Sequence, residues 1–335
     1  MRRRLPLLMA VLVLLAGGAY AAYWFHVARG LEDGVPAWAA EQRAAGYDLT
    51  WRAFSVEGFP LAVRLRFAAP VLAAARPFPY RARGPELLAS TSPFDLRTWR
   101  VAAPQGMALE APDALASLEA QALTGEVALG GDATTITLAA RGLDGHGFAR
   151  SLSAEALEAR LSLPAHAHDG GRAGVLSLQA SLRRVTLPDI PAPLSREVDT
   201  LSVAATVRGP WPAGGLQQAL VRWRDAGGTV ELESLHAAWN GTTLDAGGTL
   251  ALDAAMQPEG AMTARIAGAD KAVDAAVAAG ALAPRYAGFA KTVLRAISDK
   301  DESGGDALTM PLTIQDQRLY VGPAEVAVLP HIGWQ

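Results

Sequence analysis

The chain has no cysteine among its 335 residues, so no disulfide staples the fold and no thiolate can serve as nucleophile or metal ligand. Lysine is nearly absent, occurring only at Lys271, Lys291 and Lys300, and arginine carries the positive charge instead. A guanidinium-rich ligand surface would use such an imbalance, but a coding bias toward arginine and alanine explains it more simply. The net charge of −3 and a pI near 6.1 leave no electrostatic footprint for nucleic acid. Catalytic signatures are missing as well. There is no G-x-S-x-G elbow, no H-E-x-x-H pair and no phosphate-binding glycine loop, which removes the main sequence supports for hydrolase, zincin and nucleotide-binding activity. The expectation is a non-enzyme without a cofactor.

Two stretches come closest to metal chemistry. His166-Ala167-His168-Asp169 has a dense set of ligand types but lacks the further His or Asp that would complete a zinc shell, and it reads as a solvated glycine-rich loop. Asp299-Lys300-Asp301-Glu302-Ser303-Gly304-Gly305-Asp306 spaces oxygen ligands as a calcium loop does. Its twelfth position, however, is Met310 rather than a bidentate carboxylate, and Pro311 blocks a following helix. An acidic turn is the better reading, and no metal is expected. His26, His146, His236 and His331 are isolated in sequence.

What the chain does have is a strong N-terminal signal. Arg2, Arg3 and Arg4 precede an apolar run from Leu5 to Phe25 that closes with Tyr20, Tyr23 and Trp24. A cationic head keeps its end in the cytoplasm, and aromatic rings suit the opposite interface. About twenty apolar residues cross a hydrocarbon core, whereas a signal peptide needs an apolar stretch of only about 7–15. Length favours a retained anchor; Ala19-Tyr20-Ala21 after Gly17-Gly18 has the form of a cleavage site and keeps the signal-peptide alternative open. The sequence divides into residues 1–26, the anchor or signal segment, and residues 27–335, an extracytoplasmic body. The expected location is the inner (cytoplasmic) membrane, single-pass, with the body in the periplasm.

Helical spacing follows the anchor, with Leu31, Val35, Trp38 and Gln42 on one stripe ending at Gly46, and places a helix near 27–46. The period then becomes two. Leu61, Val63, Leu65 and Phe67 alternate with Ala62, Arg64 and Arg66, and the alternation recurs at 134–140, 157–163, 176–182, 201–207, 230–235, 250–252, 262–266, 312–314 and 319–321. Turn signals lie at Gly130-Gly131-Asp132, Asp144-Gly145, Asp169-Gly170-Gly171 and Gly247-Gly248. Trp239-Asn240-Gly241-Thr242 is the clearest hairpin, because Asn-Gly supplies the positive φ angles of a type I′ turn. Helices are few, near 216–224 and 270–298, the latter split by Pro284. The fold class is therefore mainly β: an N-terminal transmembrane helix and an antiparallel β-rich body. One-faced strands with little helix to cover them form either a closed sandwich or a curved sheet, a half-pipe with an apolar trough.

The helix with Trp38, the box Val56-Glu57-Gly58-Phe59-Pro60-Leu61, the central Trp223-Arg224-Asp225-Ala226-Gly227-Gly228, the stretch from Trp239 to Asp253 and the closing Leu319-Tyr320-Val321-Gly322-Pro323 with Leu329-Pro330 together resemble the family catalogued as domain of unknown function 2125. That resemblance spans nearly the whole chain and implies an envelope protein of unassigned activity. The strand pattern, with Gly-Thr-Leu-Ala-Leu-Asp and a later Pro258-Glu259-Gly260, is more loosely similar to AsmA-like proteins, β-rich half-pipes that move or organise envelope lipids. The box residues Gly58, Phe59, Pro60, Trp223, Gly227, Gly228, Gly322 and Pro323 read as architectural: glycine relieves steric constraint, Pro60 sets φ before a strand, and Phe59 is expected as a core plug. The functional expectation is an apolar groove built from residues such as Leu176, Leu178, Leu182, Val203, Val207 and Ile266, taking a membrane lipid or other amphiphile. The competing class is a scaffold that docks an envelope protein through a strand edge or hydrophobic patch.

Overall fold

The computed structural model describes residues 4–44, 46–74, 80–111, 116–147, 151–164, 174–187, 196–209, 216–278, 283–300, 306–329 and 331–332. The apolar run and the amphipathic segment after it form one helix, α1 (Arg4–Ala44), unbroken at Gly17-Gly18 and at Ala19-Tyr20-Ala21. This helix is long and apolar enough to cross a membrane.

The body follows as a meander: β1 (Tyr47–Thr50), β2 (Ala53–Glu57), β3 (Val63–Ala68), β4 (Val71–Ala74), β5 (Tyr80–Arg83), β6 (Glu86–Ser92), β7 (Asp95–Ala103), β8 (Met107–Ala111), β9 (Ala116–Leu129), β10 (Ala133–His146), β11 (Leu152–Pro164), β12 (Gly174–Thr186) and β13 (Glu197–Arg208). After α2 (Leu216–Asp225) come β14 (Thr229–Trp239), β15 (Thr242–Leu252) and β16 (Pro258–Ala267). Then α3 (Ala269–Ala278), α4 (Pro284–Ile297), β17 (Asp299–Lys300), β18 (Asp306–Gln315), β19 (Arg318–Val321) and β20 (Ala324–Val328) complete the chain. Among the described residues all strands belong to one antiparallel sheet. A single sheet is what the curved-sheet alternative requires, and among the described residues there is no second sheet.

The pairs β1/β2, β3/β4 and β5/β6 are each one strand creased once, because the register continues across the break: Tyr47↔Ala74 and Ala53↔Ala68 belong to one series, as do Val63↔Thr91 and Val71↔Arg83. Prolines mark the crease at Pro70, Pro85 and Pro104, where a missing N–H interrupts the ladder. Beyond them it continues as one unpaired residue per strand, Gln121, Gly142, Glu155, Arg184 and Asp199, between bonded neighbours. Ala69, Gly106, Gly142 and Arg184 hold positive φ there, on alternate strands. At the crease Ala140, Leu143, Ala154 and Val185 are buried, packed with Leu118, Ala120, Leu157, Leu182 and Val198. Among the described residues these strands make their extensive contacts only with neighbouring strands, so the apolar side chains on the two sides of the bend bury one another.

The second cluster lies under α1. Trp24 and Ala28 pack on Val63 and Leu65, with Val27, Leu31, Val35, Phe54, Val56, Phe67, Ala89 and Trp99 around them. Ala39 rather than Trp38 continues the buried stripe; Trp38 is 52% exposed.

Several turn expectations hold. Asn240 and Gly241 have φ of 47° and 71°, and Trp239 pairs with Thr242, as a type I′ turn requires. Gly130-Gly131-Asp132 joins β9 to β10, and Pro284 opens α4. Two expectations fail: Asp144-Gly145 and Gly247-Gly248 lie inside β10 and β15. Gly248 serves close backbone approach instead, since a Cβ there would stand 2.3 Å from the Ala261 oxygen. Gly247 sits opposite a register shift between Leu232 and Leu235 of β14. Asp169-Gly170-Gly171 lies outside the described residues.

Candidate functional site

Strand alternation sorts the side chains of the sheet onto two unlike faces. Residues directly opposite in an antiparallel pair share a face, and the registers chain such pairs into rows. One row runs Leu123, Ala140, Leu157, Leu182, Leu201, Ala237, Leu244, Ile266 and Leu308. A parallel row runs Val127, Ile136, Leu161, Leu178, Ala205, Leu232, Gly248, Met262 and Leu312. Between them lie Leu138, Ala159, Ala180, Val203, Leu235, Ala246 and Ala264, and beyond them Leu176, Val207, Val230 and Leu250. A continuous apolar surface therefore crosses the strands from β9 to β18.

All six groove residues fall on this face. Leu176 stands opposite Val207, Val203 opposite Ala180 between Leu178 and Leu182, and Ile266 of β16 in the row of Leu182 of β12. Most are half-buried by their neighbours, while Leu178 is 37% exposed. Other residues of the alternating runs, Ile136, Leu138, Ala140 and Leu161, extend the surface, and Leu143, Ala154 and Val185, which lie outside those runs, complete it at the crease. At its N-terminal end the same face is covered by α1, since Leu65 stands opposite both Val56 and Ala89, and Ala89 opposite Val101 of the central row.

The opposite face is polar and cross-linked by charge. Arg66–Glu86 (2.5 Å), Arg83–Glu110 (2.6 Å), Arg100–Glu126 (3.3 Å), Arg183–Glu158 (3.2 Å), Arg208–Glu231 (2.5 Å) and Arg184–Glu155 join neighbouring strands. These exposed pairs contribute about 0–1 kcal/mol each, and they show where the abundant arginines go. At the C-terminal edge Arg318 pairs with Glu325, whose hydrogen bond and charge raise the guanidinium pKa. An open groove of about 850 Å³ crosses the polar face, walled by Arg100, Glu126, Thr137, Glu158, Arg160 and Gln179. Arg100, Glu126 and Glu158 are already paired. His236 Nδ1 lies 2.6 Å from Asp245, but among the described residues no three His, Asp or Glu side chains converge. His166, His168 and Asp169, and most of the acidic stretch after Lys300, lie outside the described residues; Met310 and Pro311 belong to β18.

The box residues are placed as follows. Trp223 of α2 is buried, donates from Nε1 to the Arg208 carbonyl at 2.7 Å and lies flat against Gly228, while Gly227 (φ 76°) ends the helix. Gly322-Pro323 forms the turn between β19 and β20. Gly58 has φ of 105°, and a Cβ there would stand 2.7 Å from the Ala62 oxygen. Phe59 is not a core plug: it is 49% exposed, and Phe59-Pro60 is a cis peptide. Its ring packs instead on α1, edge-to-face with Trp24 at a centroid distance of 5.4 Å and stacked on Phe25 at 5.7 Å.

No curated protein and no solved structure matches the chain. The model of one family matches residues 24–330, which takes in the lower part of α1 and essentially the whole sheet, and the chain accordingly belongs to the DUF2125 family of uncharacterized proteins conserved in bacteria.

Proposed function

We propose that this is a membrane-anchored envelope protein whose sheet binds or guides an amphiphile along its apolar face, without catalysing a reaction. In this reading α1 is a retained single-pass anchor of the inner membrane and the body is periplasmic. The observation that carries it is the apolar surface of aligned rows from β9 to β18, covered by α1 at one end and by no second sheet elsewhere among the described residues. Apolar surface of that extent on a soluble body marks an interaction site. Burying an acyl chain gains about 0.8 kcal/mol per methylene, so partial enclosure outweighs the cost of ordering the lipid. The polar face, whose charges are already paired across strands, offers no comparable driving force.

The test is lipid analysis of the full chain purified in mild detergent. Leu178→Asp or Val203→Asp should reduce co-purifying lipid while circular dichroism stays near that of the parent. If the parent carries no lipid and these substitutions unfold it, the face is an interior surface and the scaffold reading takes over. One observation favours that second reading: among the described residues β20 pairs only with β19 and leaves an open edge, with Val328 70% exposed.

A further inference from the structure

The turn ends of the sheet nearest α1 carry an apolar rim that the binding face does not use. The turns after β2 and after β6, with the start of β7, expose Phe59 (49%), Leu61 (85%), Phe94 (78%) and Leu96 (43%). Both turns are fastened to α1 at one level. Tyr20 donates to the Pro60 carbonyl, Tyr23 to that of Pro93 at 2.8 Å, and Trp24 Nε1 to that of Ala62 at 2.9 Å. Phe94 stacks on Tyr20 with centroids 5.5 Å apart and on Tyr23 at 6.5 Å. Above that level α1 leaves the body, with Val11, Leu12, Val13, Leu14 and Leu15 all exposed.

Helix length sets the depth. At about 1.5 Å per residue, a hydrocarbon core of about 30 Å started at Leu5 ends near Trp24. The aromatic residues to which the two turns are bonded are thus those that stand at the far membrane interface. Resting on the reading of α1 as a spanning anchor, we propose that the Phe59–Leu61 turn and the Phe94–Leu96 segment, the β6–β7 turn with the start of β7, are a second membrane contact, inserted into the leaflet on the body's side of the bilayer. The body is held against the membrane by its rim as well as tethered by its helix. The phenol and indole groups of α1 bond to turn carbonyls rather than to headgroups, which leaves the apolar tips of the turns to face the lipid.

The absence of cysteine makes a direct test available. Leu61→Cys, Phe94→Cys and, as a remote control at the other end of the strands, Asp270→Cys are introduced singly into the full chain. Each is labelled with an environment-sensitive fluorophore and reconstituted in phosphatidylethanolamine–phosphatidylglycerol vesicles containing lipids brominated near the headgroup. Labels at Leu61 and Phe94 should emit to the blue of the Asp270 label and be quenched several-fold more. The unlabelled cysteines should react with a charged, water-soluble maleimide several-fold more slowly than the one at position 270, a readout that requires no fluorophore in the bilayer. Equal quenching and equal reactivity at the three positions overturn the proposal, as does an intact mass lacking the first residues. Lipid loss on Leu178→Asp reports on the apolar face alone, so the two readings fail separately.

Discussion

At the scale of the residue, a few glycines sit where the chain admits no side chain. A Cβ on Gly228 would stand 2.2 Å from the indole of Trp223, and that ring is fixed by burial and by its bond to the Arg208 carbonyl. Gly228→Ala should therefore cost about 1–3 kcal/mol through overpacking, read as a lowered urea midpoint. Gly131→Ala, with nothing within 4 Å and no positive φ, should leave that midpoint unmoved. Gly241→Val forces a β-branched residue into φ of 71°, at about 1–2 kcal/mol; an unchanged midpoint would mean that the turn tolerates another conformation. The turn was legible in advance, because Asn-Gly between alternating runs states its own backbone requirement. Phe59 was not, since an apolar residue in a turn says nothing about whether it faces a core or another ring.

Strands show the clearest gap between pattern and structure. The alternating runs at 134–140, 157–163, 176–182 and 201–207 each cover only part of a strand, for β10, β11, β12 and β13 run from 133 to 146, 152 to 164, 174 to 186 and 197 to 208. Every one of those runs begins or ends at the crease. There the apolar spacing becomes three, as in Ala140/Leu143, Ala154/Leu157, Leu182/Val185 and Val198/Leu201, and strict period-two reading loses the strand. A left-handed residue on alternate strands reverses the pleat and returns the apolar set to its face. Opposite signs are expected from two substitutions there. Gly142→Ala places a side chain at φ of 56° and should destabilise by about 1–2 kcal/mol. Arg184→Gly removes a side chain from φ of 47° and loses only an exposed ion pair with Glu155, so it should be neutral or slightly stabilising. Denaturant midpoints of the two variants decide the matter, and equal destabilisation would show that the crease does not depend on left-handed backbone.

For the molecule as a whole, an apolar face that only α1 covers among the described residues should make stability depend on what else covers it. A ligand bound only by the native state at about a hundred times its Kd stabilises by about 2.7 kcal/mol, and in chains of about 150–250 residues each kcal/mol moves Tm by about 2–4 °C. Stripping lipid from the purified protein should therefore lower Tm by several degrees, and phospholipid should restore it. A Tm indifferent to lipid would favour the scaffold reading. Membrane fractionation with intact-mass measurement should find α1 retained; a soluble chain starting near Ala22 would show it cleaved.

The amino-acid sequence alone determined the apolar N-terminal helix, the predominance of antiparallel strands, the few helices and the identity of the apolar set, because each depends on short-range properties: hydrophobic run length, a period of two, and turn chemistry. The order of the sequence boxes along the chain was enough to point to the family. Whether the strands close on a second sheet or spread into one was left open, since the same alternation serves both. Tertiary structure decided that question, through registers that align the apolar rows across the meander, a crease that folds their side chains against one another, and a helix that covers one end of the face. Those outcomes depend on which strand neighbours which, and periodicity within a strand carries no information about its partner.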